Sequence, residues 1–238
     1  QKAFINPSYG AGAIVGIGQP ESLENAERLH QAFIAERLTQ VKHRLVRQTW
    51  GRTPYRRPPF SLVADGCMIV GDAAFMTKPF SGEGVTSGFT ACQIAAEVAH
   101  AALTARASSR AALWPYNTRY FRDQGAKFAG LFAQLPAASR LSRKDVNQLF
   151  EADIIFSSAE LEQMNEFYEV RMDPIRMLIL AGRLLRGVAR GRLSLAGLGL
   201  LVRATRTADL VRKHYEGFPD DPSGFPVWEA KARILWSE

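Results

Sequence analysis

The sequence is poor in the residues that metal and thiol chemistry need. It holds 2 cysteines and 4 histidines among 238 residues. Cys67 and Cys92 show no metal-ligand spacing, and the histidines form no cluster, which argues against metal catalysis. Two lone cysteines in apolar surroundings are expected to be packed thiols of a reducing compartment, so the chain reads as cytoplasmic. Apolar runs are short. LAGLGLLV, 195–202, falls well below the roughly 20 residues that span a bilayer. No recognition helix, zinc finger or aromatic-rich RNA-binding pattern is present, so no nucleic-acid partner is expected. Position 1 is Gln, and no basic stretch followed by an apolar run opens the chain. The start therefore reads as a cut, with no signal peptide.

One absence is local. Between Pro174 and Ala208 there is no acid, whereas Arg176, Arg183, Arg186, Arg190, Arg192, Arg203 and Arg206 supply a charge equal to the whole net excess of +7. On a helical wheel of roughly 100° per residue, Arg176, Arg183, Arg186 and Arg190 fall on one stripe. Met177, Leu178, Leu184, Leu185 and Val188 cover another face. This pattern predicts a peripheral contact with an anionic membrane. The bland alternative is a core helix whose arginines pair with acids such as Glu160, Glu162 or Asp220.

What is present supports a packed protein. Hydrophobic residues make up 47% of the chain, enough for one large domain or two small ones. Glycines form two clusters. The first, YGAGAIVGIG (9–18), has the look of a phosphate loop but lacks the preceding strand and following helix that such a loop requires. Pro7 cannot donate to a central ladder, and AIVGIG is β-branched. The reading is a hairpin between 2–6 and 13–18, with a turn at 9–12. Gly16 and Gly18 then share one face of the second strand. That leaves either a bulge or a smooth surface for a flat or long apolar ligand. Helical pattern follows over 22–45.

The second cluster lies in GCMIVGDAAFMTKPFSGEGVTSGFTACQIAAEVAHAAL (66–103). A buried strand at 67–70 is expected, then a turn at Lys78-Pro79-Phe80. A helix from about Gly82 to Leu103 follows, with small residues Gly88, Ala91, Ala95 and Ala99 set against a sheet. Asp72 sits where a carboxylate accepts hydrogen bonds from polyol hydroxyls. Gly82, Glu83 and Gly84 open a helix whose N-terminus offers free amides and positive potential. An electron-rich ring with a polyol tail, such as a flavin, suits that pairing. An ordinary N-cap with a glycine turn is the alternative.

These residues resemble a known family. GDAAFMTKPFSGEGV is similar to the second flavin-binding motif of the p-hydroxybenzoate-hydroxylase-like flavoproteins. It is most similar to that of the geranylgeranyl reductases, G-D-A-A-G-x-x-x-P-[LF]-[TS]-G-E-G-[IV]. Phe75 replaces a glycine, and Lys78 stands where Asn is common. The reductases also carry Y-x-W-x-F-P, then seven or eight residues, then G-x-G. Here Pro7, the spacing, Gly16 and Gly18 are kept, while Lys2, Phe4 and Asn6 replace the aromatics. GRTPYRRPP (51–59) resembles a short G-x-[IL]-P stretch before the flavin strand. The resemblance runs over about residues 2–103. The family's N-terminal strand–G-x-G-x-x-G–helix unit has no counterpart in the sequence, so the chain looks like a C-terminal portion.

The resemblance implies an α+β fold, a fragment of the FAD/NAD(P)-binding type with a mostly helical C-terminal region. Implied segments are 1–60 (end of a substrate sheet with its connecting helix), 61–105 (FAD-binding) and 106–238 (helical). It implies FAD as cofactor, with NADPH or ferredoxin as electron source, and an isoprenoid substrate whose double bonds are reduced. Gly71, Asp72, Pro79, Gly82, Glu83 and Gly84 would hold the cofactor. Phe4, Asn6, Pro7, Gly16, Gly18 and Tyr55 would face the substrate. No proton donor is marked; Tyr55 and Cys67 qualify by chemistry alone. Other flavoprotein reactions of the superfamily (monooxygenase, halogenase, quinone-linked dehydrogenase) would use a similar motif. A fragment that only docks on membranes is a further alternative. The remaining sequence predicts helices over 110–135 and 146–172, with breaks at Pro115 and Pro136 and a helix start at Ser158. A tight loop at 215–230 precedes a last short helix.

Overall fold

The computed structural model describes residues 2–7, 12–19, 22–53, 56–79, 81–152, 154, 160, 162–163 and 173–237. The chain divides into two compact units, Gln1–Arg52 and Thr53–Glu238.

In the first unit, strand β1 (Lys2–Pro7) pairs antiparallel with β2 (Ala13–Gly18). Register sets Lys2 opposite Gly18, Phe4 opposite Gly16 and Pro7 opposite Ala13. This is the expected hairpin. Residues 8–11, where the turn is expected, lie outside the described set, and a strand, not a helix, follows Gly12. Helix α1 (Leu23–Arg37) starts at Ser22, whose hydroxyl accepts from the Asn25 amide at 3.1 Å. A His30 ring nitrogen lies 3.2 Å from the Val15 carbonyl and ties α1 to β2. The expected helix to residue 45 is not formed; it ends at Arg37. Val41, Leu45 and Val46 all stay exposed, and helicity without a packed face is marginal in water.

In the second unit, β3 (Val63–Ala64) and β4 (Cys67–Met68) form a small hairpin around Gly66, which has φ +66°. The expected buried strand at 67–70 is therefore corrected to two residues, with Cys67 exposed. Side chains of helix α3 (Arg110–Tyr120) take the place of a sheet neighbour. Leu62 N donates to Asn117 Oδ1 at 2.8 Å, and Tyr116 donates its hydroxyl to the Ile69 carbonyl at 2.9 Å. Burial pushes the Tyr116 phenol pKa up, which keeps it a donor.

A 3-10 turn (Gly71–Ala74) leads through a loop into α2 (Val85–Thr104). The buried residues of α2, Ser87, Ala91, Ala95, Val98 and Ala102, pack toward α3 and the 3-10 turn and not on a sheet. The opposite face, with Val85, Phe89, Cys92, Ala96 and Leu103, is exposed. Cys92 is thus a surface thiol, contrary to the expectation of a packed one.

Neither proline breaks its helix. Pro115 lies inside α3, and Pro136 sits in the last turn of α4 (Ala126–Ala138). The irregularity falls between them, in a π-helical segment, Phe121–Gly125. There a Cβ on Gly125 would lie 2.8 Å from Phe121 Cδ1, so the wide turn needs a glycine. Contacts to a distant loop hold α3 despite its missing donor. Trp114 Nε1 and Thr118 Oγ1 both donate to the Pro219 carbonyl at 3.0 Å, and Arg122 Nε donates to the Phe218 carbonyl at 2.8 Å.

Helices α5 (Arg143–Glu151), α6 (Pro174–Ala189), α7 (Leu195–Glu216) and α8 (Phe225–Trp236) complete the described architecture. Most of the expected 146–172 helix, with its start at Ser158, lies outside the described residues. The loop before α8 is shorter than the sequence suggests, since α7 runs to Glu216 and α8 begins at Phe225. Helix α4 packs mainly on α7, where a Cβ on Gly130 would come within 3.2 Å of the Ala208 carbonyl. The core joins Ala91 and Val98 of α2 to Trp114, Tyr120, Phe121, Tyr215, Phe218, Phe225 and Trp228. Residues 61–105 therefore share one core with the helices that follow. Rings meet at ordinary aromatic distances, such as Phe121–Phe218 stacked at 4.7 Å.

Candidate functional site

The residues around Asp72 are gathered by two backbone reversals. Gly71 and Gly82 have φ of +62° and +75°, a region that glycine enters without strain. Phe75, where the resembling motif has glycine, has φ +55° and closes the 3-10 turn by donating its amide to the Asp72 carbonyl at 3.1 Å. A left-handed L-residue costs about 1–2 kcal/mol, so this departure is a strained one. Arg56 lies 5.6 Å from the Phe75 ring centroid.

Asp72 is exposed, and its Oδ1 accepts from Thr77 Oγ1 at 3.3 Å. The same oxygen lies 3.4 Å from where a Cβ on Gly84 would stand. An open carboxylate thus adjoins the start of α2. The loop between them is closed from within. Lys78 N donates to the Glu83 carbonyl at 2.7 Å, and Gly82 N donates to the Lys78 carbonyl at 3.0 Å. The Glu83 amide donates to Ser81 Oγ at 3.3 Å. Lys78 is only 6% exposed and pairs with Glu83 Oε2 at 2.7 Å. Thr86 Oγ1 donates to Glu83 Oε1 at 2.7 Å. The Lys78 and Thr86 donors hold the Glu83 carboxyl below its usual pKa.

These bonds sort the residues the sequence singled out. The structure brings Gly71, Asp72, Pro79, Gly82, Glu83 and Gly84 into one loop, with Pro79 buried. The amides of Gly82 and Glu83 are engaged inside that loop, and the Glu83 side chain braces it. Gly84 N and Val85 N have no partner among the described residues. An exposed acceptor beside two open amides at a helix N-terminus fits a polyol chain next to an electron-rich ring edge. Thr77, Lys78 and the Val85 amide were missed in the sequence. Thr77 and Lys78 follow the turn at Phe75, whose hand the sequence does not show.

On the hairpin, positions 4, 6, 16 and 18 share one sheet face by register. Phe4, Asn6, Gly16 and Gly18 therefore lie together as expected, while Pro7 has opposite parity. Tyr55 lies outside the described residues. A separate basic concavity of about 570 Å³ is lined by Arg143, Lys144, Asn147, Gln148, Glu151 and Arg192, none of them an expected site residue. Among the described residues no cluster of His, Cys, Asp and Glu could hold a metal ion, and no helix is long and apolar enough to cross a membrane.

A comparison with protein-family profiles finds no match. Curated proteins do match. A digeranylgeranylglycerophospholipid reductase of Sulfolobus acidocaldarius is 24% identical over 231 residues, 97% of this chain and 49% of the relative. Reductases of the same name from Methanothrix thermoacetophila and Methanoculleus marisnigri are each 30% identical, over 145 and 121 residues. Those matches cover 61% and 49% of this chain, and 36% and 30% of the relatives. At its widest, the chain spans about half the length of a curated relative it matches. By these matches the chain is similar, at 24–30% identity, to proteins named digeranylgeranylglycerophospholipid reductase.

Proposed function

We propose that this chain is part of an FAD-dependent oxidoreductase that reduces carbon–carbon double bonds of a geranylgeranyl-type lipid. The single observation that carries the reading is the open Asp72 carboxylate beside the Gly84 and Val85 amides, which have no partner among the described residues. It stands in the segment that resembles the flavin motif. The names of the matched relatives support the substrate class.

FAD, when bound and reduced, would supply the hydride, and NADPH or ferredoxin would supply the electrons that re-reduce it. The chain's own residues bind and orient. Asp72 accepts hydrogen bonds from the ribityl hydroxyls. The amides of Gly84 and Val85, with the positive end of α2, favour negative charge at the pyrimidine edge. Gly71 and Gly82 supply reversals that no side chain could make without strain. Pro79, and the Lys78–Glu83 pair, stiffen the loop between them. Phe4, Asn6, Pro7, Gly16, Gly18 and Tyr55 belong to the isoprenoid side. Their glycines leave a face of the hairpin smooth enough for an extended apolar chain.

The test is a chimera in which this chain replaces the matching half of the Sulfolobus acidocaldarius reductase. Supplied with FAD, a chemical reductant and a geranylgeranyl lipid, it should add two hydrogens per reduced double bond, read by mass spectrometry. A folded, flavin-loaded chimera that leaves the lipid mass unchanged contradicts the proposal. One that adds oxygen instead identifies a monooxygenase.

A further inference from the structure

Helix α6 presents the most apolar outward face among the described helices. Asp173 caps its start, accepting from Arg176 N at 2.7 Å. Leu180 and Gly187 are its buried residues. Gly187 faces α5, since a Cβ there would meet Gln148 at 3.7 Å. At roughly 100° per residue, Ala181, Leu185, Leu178, Ala189, Gly182 and Ile175 form one continuous arc on the other side. All six are exposed, with Leu178 at 75%, Ile175 at 72% and Leu185 at 64%. No charged residue interrupts the arc. Soluble helices direct the opposite pattern to water.

The four arginines predicted on one stripe have two different uses. Arg176 makes a bidentate pair with Glu160, at 2.7 and 2.9 Å, and Arg183 donates to the Ala152 carbonyl at 2.8 Å. For Arg176 the paired-arginine alternative holds, whereas the printed bond of Arg183 is to a main-chain carbonyl and not to an acid. Arg186 and Arg190 are exposed and have no partner among the described residues. They sit on the border of the apolar arc, followed in sequence by the exposed Arg192.

We infer that α6 lies in the interface of an anionic lipid bilayer, with Leu178, Leu185 and Ile175 in the acyl boundary and Arg186 and Arg190 on the headgroups. Two features of the helix select this occupant. The outward arc is wide and apolar, as insertion requires, and its bordering charges are all positive. A protein partner would need neither an unbroken arc nor a single sign of charge. A helix of 16 residues is too short to span and long enough to lie flat. The inference needs no flavin and no substrate, so it stands or fails apart from the proposed reductase activity.

The experiment is co-sedimentation of the full chain with vesicles of phosphatidylglycerol and phosphatidylcholine, or of phosphatidylcholine alone, at low and high salt. Binding is expected on the anionic vesicles and should weaken as salt rises. Arg186→Gln with Arg190→Gln should lower it by about fivefold per charge removed. Leu178→Glu with Leu185→Glu should abolish it while leaving the circular dichroism spectrum and melting temperature unchanged, because both side chains are exposed. Should that pair misfold, the arginine pair carries the test. Equal binding to both vesicle types, or none to either, overturns the inference. So does a wild-type dimer that becomes monomeric in the leucine variant without any vesicle binding.

Discussion

At Phe75 the backbone has φ +55° and the resembling motif has glycine. Ordinary ranking puts alanine above glycine by about 0.5–1 kcal/mol within regular structure. Here the order should reverse. Phe75→Ala keeps the left-handed strain and loses the ring, whereas Phe75→Gly loses the ring and removes the strain. Phe75→Gly should be the more stable of the two by about 1 kcal/mol in urea denaturation. A second residue with a checkable role is Asp145, 3% exposed. Its carboxylate accepts from Ser142 Oγ at 2.6 Å, Ser194 N at 2.7 Å and Ser194 Oγ at 3.0 Å. The Ser142 bond, then the Ser194 amide, hold its pKa below the usual carboxylate value. Such a group stabilises the fold above its unfolded pKa, and the contribution is lost as pH falls through the folded one. Asp145→Ala should cost about 2–3 kcal/mol near neutral pH. The gap from wild type should narrow as pH drops from about 4 toward 2. A gap independent of pH would mean the carboxylate's charge does not contribute.

Helix α7 shows how such a residue sets an element. Ser194 caps it, accepting from Gly197 N at 2.8 Å, and Asp145 in turn holds Ser194. A Cβ on Gly197 would stand 2.8 Å from Asp145 Cγ, so Gly197→Ala must displace the carboxylate. Alone, that change should destabilise. In the Asp145→Ala background it should be neutral or favourable, because alanine is the better helix former by about 1 kcal/mol. Additive costs in a double-mutant cycle would disprove the contact. The sequence made some elements legible and hid others for physical reasons. The β1–β2 hairpin was readable because Pro7 and the β-branched run at 13–18 exclude a helix. Helix α2 was readable from its small residues and open glycine start. Pro115 misled, because its missing bond is offset by side chains reaching the 217–224 loop, a contact of very long sequence separation. The 67–70 strand misled because an apolar run of four does not say whether its neighbours are strands or the polar side chains of a helix. The end of α1 was hidden because Val41, Leu45 and Val46 keep helical spacing yet meet nothing.

On the scale of the whole molecule, each of the two units holds its own set of residues singled out in the sequence. Unit one brings the substrate-side hairpin positions to one face, and unit two brings the cofactor-side residues into one loop. The motif around Asp72 was legible because glycines and an acid at fixed spacing have few structural uses. The bracing by Thr77, Lys78 and Ser81 was not, since it depends on the hand of the turn at Phe75 and Gly82. The mostly helical mass of unit two, built on Trp114, Phe121, Phe218 and Trp228, supports that loop through α2 and α3. It also carries α6, with its exposed apolar face. The reading proposed above makes the start of α2, with Asp72, a flavin site. Titrating FAD with the chain, followed by quenching of flavin fluorescence, tests it most directly. Binding should be measurable, and Asp72→Ala should lower it by about tenfold or more, the worth of one good hydrogen bond to a charged group. Arg186→Gln should leave it unchanged. Equal affinity in wild type and Asp72→Ala, or no flavin binding at all, would contradict the claim.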